Sequence, residues 1–173
     1  MKKLIFASAI GMLMAIGASA QATGTLTITG NIQGSMTLTL NNDVSGATIT
    51  GAGSSAGSIA FGTVSASTSD GTVASGIAKS TVGGGNWQLN TTVDVYVTSN
   101  NVSSLSYTLA ANIDNTDELG YVVNAVPLTT LSQTVASNQT YSTNHAIPVQ
   151  ILVPSTATSA AINRVITFTA TAN

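Results

Sequence analysis

Residues 25–40 alternate strictly, with an apolar residue or a glycine at every even position of the run TLTITGNIQGSMTLTL. Successive side chains of a β-strand point to opposite faces of the sheet, so this pattern predicts a strand with one buried face. The run is far longer than the roughly 5–6 residues of an ordinary strand. Beyond residue 20, no window carries an apolar stripe at helical spacing. The chain is therefore expected to fold into strands without helices.

Shorter alternating runs follow, separated by turn-forming clusters such as GAGSSAG at 51–57 and GGGN at 83–86. They predict strands at 47–50, 58–61, 72–78, 87–98, 105–113, 121–126, 146–153 and 162–172. Many short strands, glycine-rich turns and no helices are typical of an antiparallel sandwich. We predict an all-β fold, an immunoglobulin-like antiparallel β-sandwich that occupies residues 34–173.

The first twenty residues have the three parts of a secretory signal peptide. Lys2 and Lys3 form a basic start, residues 4–17 an apolar stretch, and residues 18–20 (ASA) a small-residue cleavage site. The apolar stretch is shorter than the roughly 20 residues of a transmembrane helix. We therefore expect export, with no membrane insertion after cleavage and the alternating run at the new N-terminus.

Charged side chains make up only 6% of the chain, against roughly 25% in typical soluble domains. Beyond the signal peptide, Lys79 and Arg164 are the only lysine and arginine, and the same part of the chain contains six aspartate and glutamate residues. Two scattered cations cannot neutralise a phosphate backbone or hold an anionic membrane surface, so no nucleic-acid partner is expected. The polar faces consist of threonine, serine, asparagine and glycine, so charge repulsion between copies is weak.

A long alternating strand at the N-terminus suits a subunit that completes the sheet of its neighbour. Residues 24–32 (GTLTITGNI) resemble the N-terminal extension of chaperone–usher pilins, in which apolar residues alternate around a glycine. The spore-coat-U-like pilins of the archaic pathway are a candidate for closer kinship, on composition and general pattern alone. Members of the family often carry a disulfide and a penultimate tyrosine, whereas this chain has no cysteine and has Ala172 at that position.

The resemblance implies a sandwich that lacks one strand and is completed by the donated extension, residues 21–33, of the next subunit. Leu26, Ile28 and Ile32 would fill groove pockets, and Gly30 would lie where a side chain has no room. The last strand would border the groove, with Ile166, Phe168, Ala170 and Ala172 on one face. A periplasmic chaperone and an outer-membrane usher are implied as partners, besides the head-to-tail homopolymer itself.

These features together favour a secreted structural subunit of an extracellular cell-surface filament, a pilus or fimbria that serves adhesion or biofilm formation. One alternative is a monomeric adhesin or carbohydrate-binding sandwich, in which residues 25–40 form two ordinary strands with a bulge or bend at Gly30 or Gly34. Another is a coat or matrix protein that assembles without a chaperone.

The remaining motifs give little support for other chemistry. His145 is the only histidine, and no G-x-S-x-G elbow or phosphate-binding loop accompanies it, so an enzyme is not expected and no cofactor is predicted. The run DNTDE brings Asp114, Asp117 and Glu118 together as a weak calcium candidate, although such runs are common in solvated turns. Trp87 precedes a strongly alternating run and is expected in the core; an exposed aromatic platform for sugars is the alternative.

Overall fold

The computed structural model describes residues 33–64, 72–158 and 162–173. The signal peptide predicted for residues 1–20 and the predicted donor residues Leu26, Ile28, Gly30 and Ile32 lie outside these ranges. The described residues belong to one compact unit and form eleven strands joined by turns and loops, with a single 3₁₀ turn, Gly83–Gly85. The strands are β1 (Ser35–Asn42), β2 (Ile49–Thr50), β3 (Ser58–Ile59), β4 (Ala78–Val82), β5 (Asn86–Asn100), β6 (Ser106–Ile113), β7 (Gly120–Val123), β8 (Val126–Pro127), β9 (Gln133–Thr140), β10 (Asn144–Val153) and β11 (Ile166–Ala172). No described helix is long and apolar enough to cross a membrane.

The larger sheet is organised around β5. Its strand order is β1-β5-β10-β7-β8, and β4 also pairs with β5. The length of β5 allows it to hold two strands on one edge, because β1 pairs with residues 93–100 and β4 with residues 86–90. Its other edge pairs with β10 over residues 87–96. All these pairings are antiparallel.

The smaller sheet has the order β11-β6-β9 and is also antiparallel. Its central strand, β6, starts only a few residues after β5 ends, so the chain crosses from one sheet to the other at that point. We call this the upper end of the sandwich and the end of β6 at Ile113 the lower end. β2 and β3 form a separate two-stranded ribbon.

The core lies between the two sheets and follows the period of two. Alternate residues of β5, β6 and β10 point inward and are buried: Leu89, Thr91, Val93, Val95, Val97, Tyr107, Leu109, Ala111, Ile113, Ile147, Val149, Ile151 and Val153. Their outward neighbours are polar or at least partly exposed. The prediction of an all-β, immunoglobulin-like antiparallel β-sandwich is confirmed.

Several strand predictions need correction. β9 was not predicted, because only Val135 of its residues is buried and an edge strand of this kind has weak alternation. β4 occupies residues 78–82, later in the chain than the predicted strand at 72–78. β11 begins at Ile166 and β6 at Ser106, so Leu105 lies before its strand and is 90% exposed instead of sharing the face of Tyr107.

Candidate functional site

The outer edge of β11 has no strand partner among the described residues. The Asn173 N–H donates to the Ser106 carbonyl, and the Asp114 N–H donates to the Val165 carbonyl, so the odd-numbered residues of this segment face β6. In an antiparallel ladder the intervening residues then direct their N–H and C=O groups to the opposite edge. On β11 these residues are Ile166, Phe168, Ala170 and Ala172, the four that the sequence assigned to one face of the last strand.

The outer edge of β1 is open along its upper half. The Leu40 N–H donates to the Ser54 carbonyl, and the Leu40 carbonyl accepts from the Gly53 N–H, so residues 53–54 close the lower part of this edge. By alternation, Met36 and Leu38 also direct their backbone groups away from β5. No partner on that side is found for them among the described residues.

The two open edges flank the same gap. β1 ends one sheet and β11 ends the other, and Cα atoms of the two strands approach within 8 Å. We call this gap the β1–β11 groove and define it by the inward residues of both strands, namely Met36, Leu38, Ile166, Phe168, Ala170 and Ala172. Two strands that flank a third lie about 9.6 Å apart, because the inter-strand spacing is about 4.8 Å. A strand inserted here must therefore widen the groove slightly at its closest points.

The inward faces along the groove are less buried than those elsewhere in the sandwich. Every groove residue is partly exposed, whereas Leu109 and Val97, which face them across the ladders, are fully buried. Partly exposed apolar side chains above unpaired backbone groups are the combination that β-strand addition repairs. The described residues of the groove therefore combine the two features that an added strand would cover.

The upper end of the groove is braced by Tyr141, in the turn between β9 and β10. Its hydroxyl donates to the Ser106 carbonyl at 3.2 Å and lies 3.8 Å from the Met36 Sδ. Its ring lies 5.4 Å from that of Tyr107. The Asn173 side chain ties the end of β11 to Ser106 and Asn138. No sequence pattern pointed to Tyr141, because an isolated tyrosine in a polar turn has no periodicity.

Tyr107 has an unusual environment beneath this brace. The residue is fully buried, and its hydroxyl has no hydrogen-bond partner among the described residues. Burial, with a smaller contribution from Tyr141, raises the pKa of Tyr107 to about 12. The His145 ring lies 6.0 Å from Tyr107, and its Nε2 lies 2.8 Å from the Thr140 carbonyl. This arrangement gives His145 a packing role at the upper end of the core.

The acidic run that the sequence singled out does not converge on one point. Asp114 accepts a hydrogen bond from the Val165 N–H, and Glu118 accepts two from Thr158. Asp117 pairs with Arg164 at 3.0 Å and also accepts from the Tyr121 hydroxyl. Among the described residues no group of three or more histidine, aspartate and glutamate side chains is placed to hold a metal ion.

Two further acids do meet, on the outer face of the larger sheet. Asp94 lies on β5, and Asp43 lies in the turn after β1. Burial, and then the charge of Asp43, raises the pKa of Asp94, while hydrogen bonds from Ser45 lower the pKa of Asp43. This pair could not be predicted from the sequence, because the two acids are distant in the chain.

Trp87 is partly buried on the inward face of β5. The Lys79 Nζ lies 4.2 Å from the centre of its ring, within the range of a cation–π interaction. Since a cation covers one face and the core packs around the ring, Trp87 does not present a free stacking platform. The expected core role of Trp87 agrees with this placement.

Comparison of the sequence with protein-family models and with curated proteins gives no match. The functional argument therefore depends on the fold, an immunoglobulin-like sandwich in which the outer edge of β11 and the upper part of the outer edge of β1 have no strand partner among the described residues.

Proposed function

We propose that this protein is a secreted structural subunit that polymerises by donor-strand complementation into an extracellular filament. Residues 24–32 of one copy fill the β1–β11 groove of the next copy. The observation that carries the proposal is that two strand edges, unpaired within the described part of the chain and each with partly exposed apolar side chains, face one gap.

The proposed donor segment matches the groove in length and period. Residues 26–32 span seven positions, and β11 has seven residues. Leu26, Ile28 and Ile32 lie on one face of an extended strand, together with Gly30. Burying each leucine or isoleucine contributes about 1.5–3 kcal/mol, and the backbone hydrogen bonds add to this.

This mode of association produces fibres. The donor segment and the groove are different surfaces, so the contact is head-to-tail and propagates without closing into a dimer. The low charge of the chain reduces repulsion between stacked copies. We also propose that the subunit is exported through the periplasm. There a chaperone covers the groove, and an outer-membrane usher orders assembly. The filament is expected to function in adhesion or biofilm formation.

A thermal melt tests the central step. The variant that lacks residues 21–33 is melted alone and with a synthetic peptide of those residues. At a peptide concentration of 100 times its dissociation constant, stabilisation is about 2.7 kcal/mol, which corresponds to a rise in melting temperature of about 5–10 °C in a domain of this size. A peptide with Gly30→Leu is the matched control and should produce a much smaller rise.

Electron microscopy of the full chain completes the test. Filaments are expected from the natural sequence, and none from the Gly30→Leu variant, which should still be exported. If the truncated domain has a high melting temperature that does not change when peptide is added, the result would instead favour a complete monomeric sandwich, an adhesin. Normal filaments from the Gly30→Leu variant would show that Gly30 does not lie in the groove.

A further inference from the structure

Four large apolar side chains are exposed among the described residues, and three of them lie at the ends of the smaller sheet. Among the described residues these side chains are Val44, Leu105, Leu131 and Val165, which are 104%, 90%, 72% and 58% exposed. Leu105 immediately precedes β6 at the upper end. Leu131 and Val165 precede β9 and β11 at the lower end, while Val44 lies in the turn after β1.

Backbone hydrogen bonds hold the two lower residues on either side of the end of β6. The Ile113 N–H donates to the Thr129 carbonyl, and Thr129 Oγ1 accepts from the Leu131 N–H. On the other side, the Asp114 N–H donates to the Val165 carbonyl. Leu105 lies at the opposite end, about 30 Å away at 3.3 Å per strand residue. One subunit therefore cannot bring these side chains together.

The chain between the donor segment and its own domain is very short. Ile32 is the last donor residue and Ser35 is the first residue of β1, so about 10 Å of extended chain separates them. The donating domain must therefore lie directly against one end of the accepting groove.

Leu105 lies on the side of the donating domain that faces this junction. A Cβ on Gly34 would lie 2.7 Å from the Asn101 carbonyl oxygen and 3.1 Å from Val102 Cγ2, so the chain leaves the domain against the loop 101–105. Leu105 ends that loop. Whichever end of the groove receives the donor, this loop meets the accepting subunit.

We propose that the donating subunit packs Leu105 against Leu131 and Val165 of the accepting subunit, a second copy of this chain. This inference rests on the proposed strand donation and adds the domain-to-domain contact. β1 and β11 run in opposite directions, so their ladders accept a donated strand in either direction. We place it antiparallel to β11, so that it leaves the groove at its lower end, beside Leu131 and Val165. A donated strand that left the groove at its upper end would instead place Leu105 of one copy beside Leu105 of the other. The lower residues, Leu131 and Val165, would then stay exposed in every subunit.

Cysteine cross-linking in the assembled filament tests the contact, because the natural chain contains no cysteine. The full-length double variants Leu105→Cys/Val165→Cys and Leu105→Cys/Leu131→Cys are assembled, oxidised and separated on a denaturing, non-reducing gel. At least one should give a ladder of covalent multimers, since a disulfide forms where Cα atoms come within about 7 Å. Each single variant should stay monomeric on the gel.

The matched control is Leu105→Cys/Ser137→Cys, because Ser137 is exposed on β9 away from both ends. It should give no ladder above the background of the single variants. A dimer band from Leu105→Cys alone would show that like ends meet and would overturn the contact. Filaments in which neither lower-end pair cross-links would also overturn it, while strand donation would stand. A natural chain that forms no filaments would remove strand donation and this contact together.

Discussion

Ala170 on β11 lies opposite Leu109 on β6, and the two side chains face the same interior, yet Leu109 is fully buried and Ala170 is partly exposed. The difference arises from their neighbours. β6 has a strand on each side, whereas β11 has only β6 among the described residues. A missing neighbour thus lowers burial along one whole strand, and the same holds for β1 at the other side of the groove.

Substitutions at Leu109 on β6 and at Phe168 on β11 should separate stability from assembly. Leu109→Ala removes a fully buried side chain and should lower the free energy of unfolding by about 2–5 kcal/mol. Phe168→Ala, in the partly exposed groove, should cost the isolated domain less but weaken binding of the peptide of residues 21–33 at least tenfold. Urea unfolding and peptide titration measure the two effects. Equal losses of stability with unchanged peptide affinity would contradict the groove.

The buried Tyr107 hydroxyl should destabilise the native state. Its oxygen has no partner among the described residues, so Tyr107→Phe removes a desolvated polar group and should raise the free energy of unfolding by about 1 kcal/mol. Tyr121→Phe is the matched control, because the Tyr121 hydroxyl donates to Asp117 at 3.2 Å. That variant should lose about 0.5–1.5 kcal/mol. Urea denaturation at pH 7 compares them, and a less stable Tyr107→Phe variant would show that the hydroxyl is satisfied.

The sequence predicted those parts of the fold in which the two faces of a strand differ most. β5 and β6 place apolar side chains on one face and polar side chains on the other, because both are central strands over a buried core. β9 escaped prediction since Val135 is its only buried residue. Leu105 was included in the predicted strand 105–113 because its apolar character continues the alternation, although the strand begins one residue later.

The site was predictable only in part, and for a related reason. The shared face of Ile166, Phe168, Ala170 and Ala172 is visible in the sequence, and so is the alternation of Met36 and Leu38. Which of their edges lies open depends on strand order, which alternation does not encode. The closure of β1 by Ser54 and the brace at Tyr141 are long-range contacts from polar segments without periodicity.

The acidic pair on the outer face predicts a dependence of stability on pH. The folded-state pKa of Asp94 is raised by burial and by Asp43, so the fold favours the protonated form of Asp94. The folded state therefore binds more protons than the unfolded chain between the ordinary aspartate pKa and the raised value, and stability falls as pH rises through that window. At neutral pH, the charged Asp94 destabilises the fold.

Asp94→Asn should accordingly raise the melting temperature at pH 7 and leave it nearly unchanged at pH 3, below the ordinary aspartate pKa. The gain should shrink in an Asp43→Asn background, because the repelling charge is then absent already. Thermal melts of the four proteins across pH 3–7 measure this. A gain of the same size at pH 3 and pH 7 would show that the effect comes from packing and not from charge.

The turn after β1 should tolerate no side chain at Gly46. A Cβ there would lie 2.0 Å from the Thr92 carbonyl oxygen, so the turn and β5 must separate to accept it. The Gly46 N–H donates to the Asp43 carbonyl, and the next N–H, of Ala47, donates to Thr91 Oγ1 at 2.8 Å. Gly46→Ala should therefore lower the free energy of unfolding by about 3 kcal/mol, the upper part of the range for overpacking. Since this turn fixes the lower end of β1, peptide affinity should fall as well.

Gly83→Ala provides the comparison, because a Cβ at Gly83 meets nothing within 4 Å. Alanine at an unstrained position restricts the unfolded chain and stabilises by about 0.4–1 kcal/mol. Gly83→Ala should therefore be as stable as the natural chain or slightly more stable, with unchanged peptide affinity. Urea unfolding with peptide titration distinguishes the two variants. A stable Gly46→Ala variant that binds the peptide normally would show that the turn can move away from β5 without disturbing β1, and the lower end of the groove would then not depend on this contact.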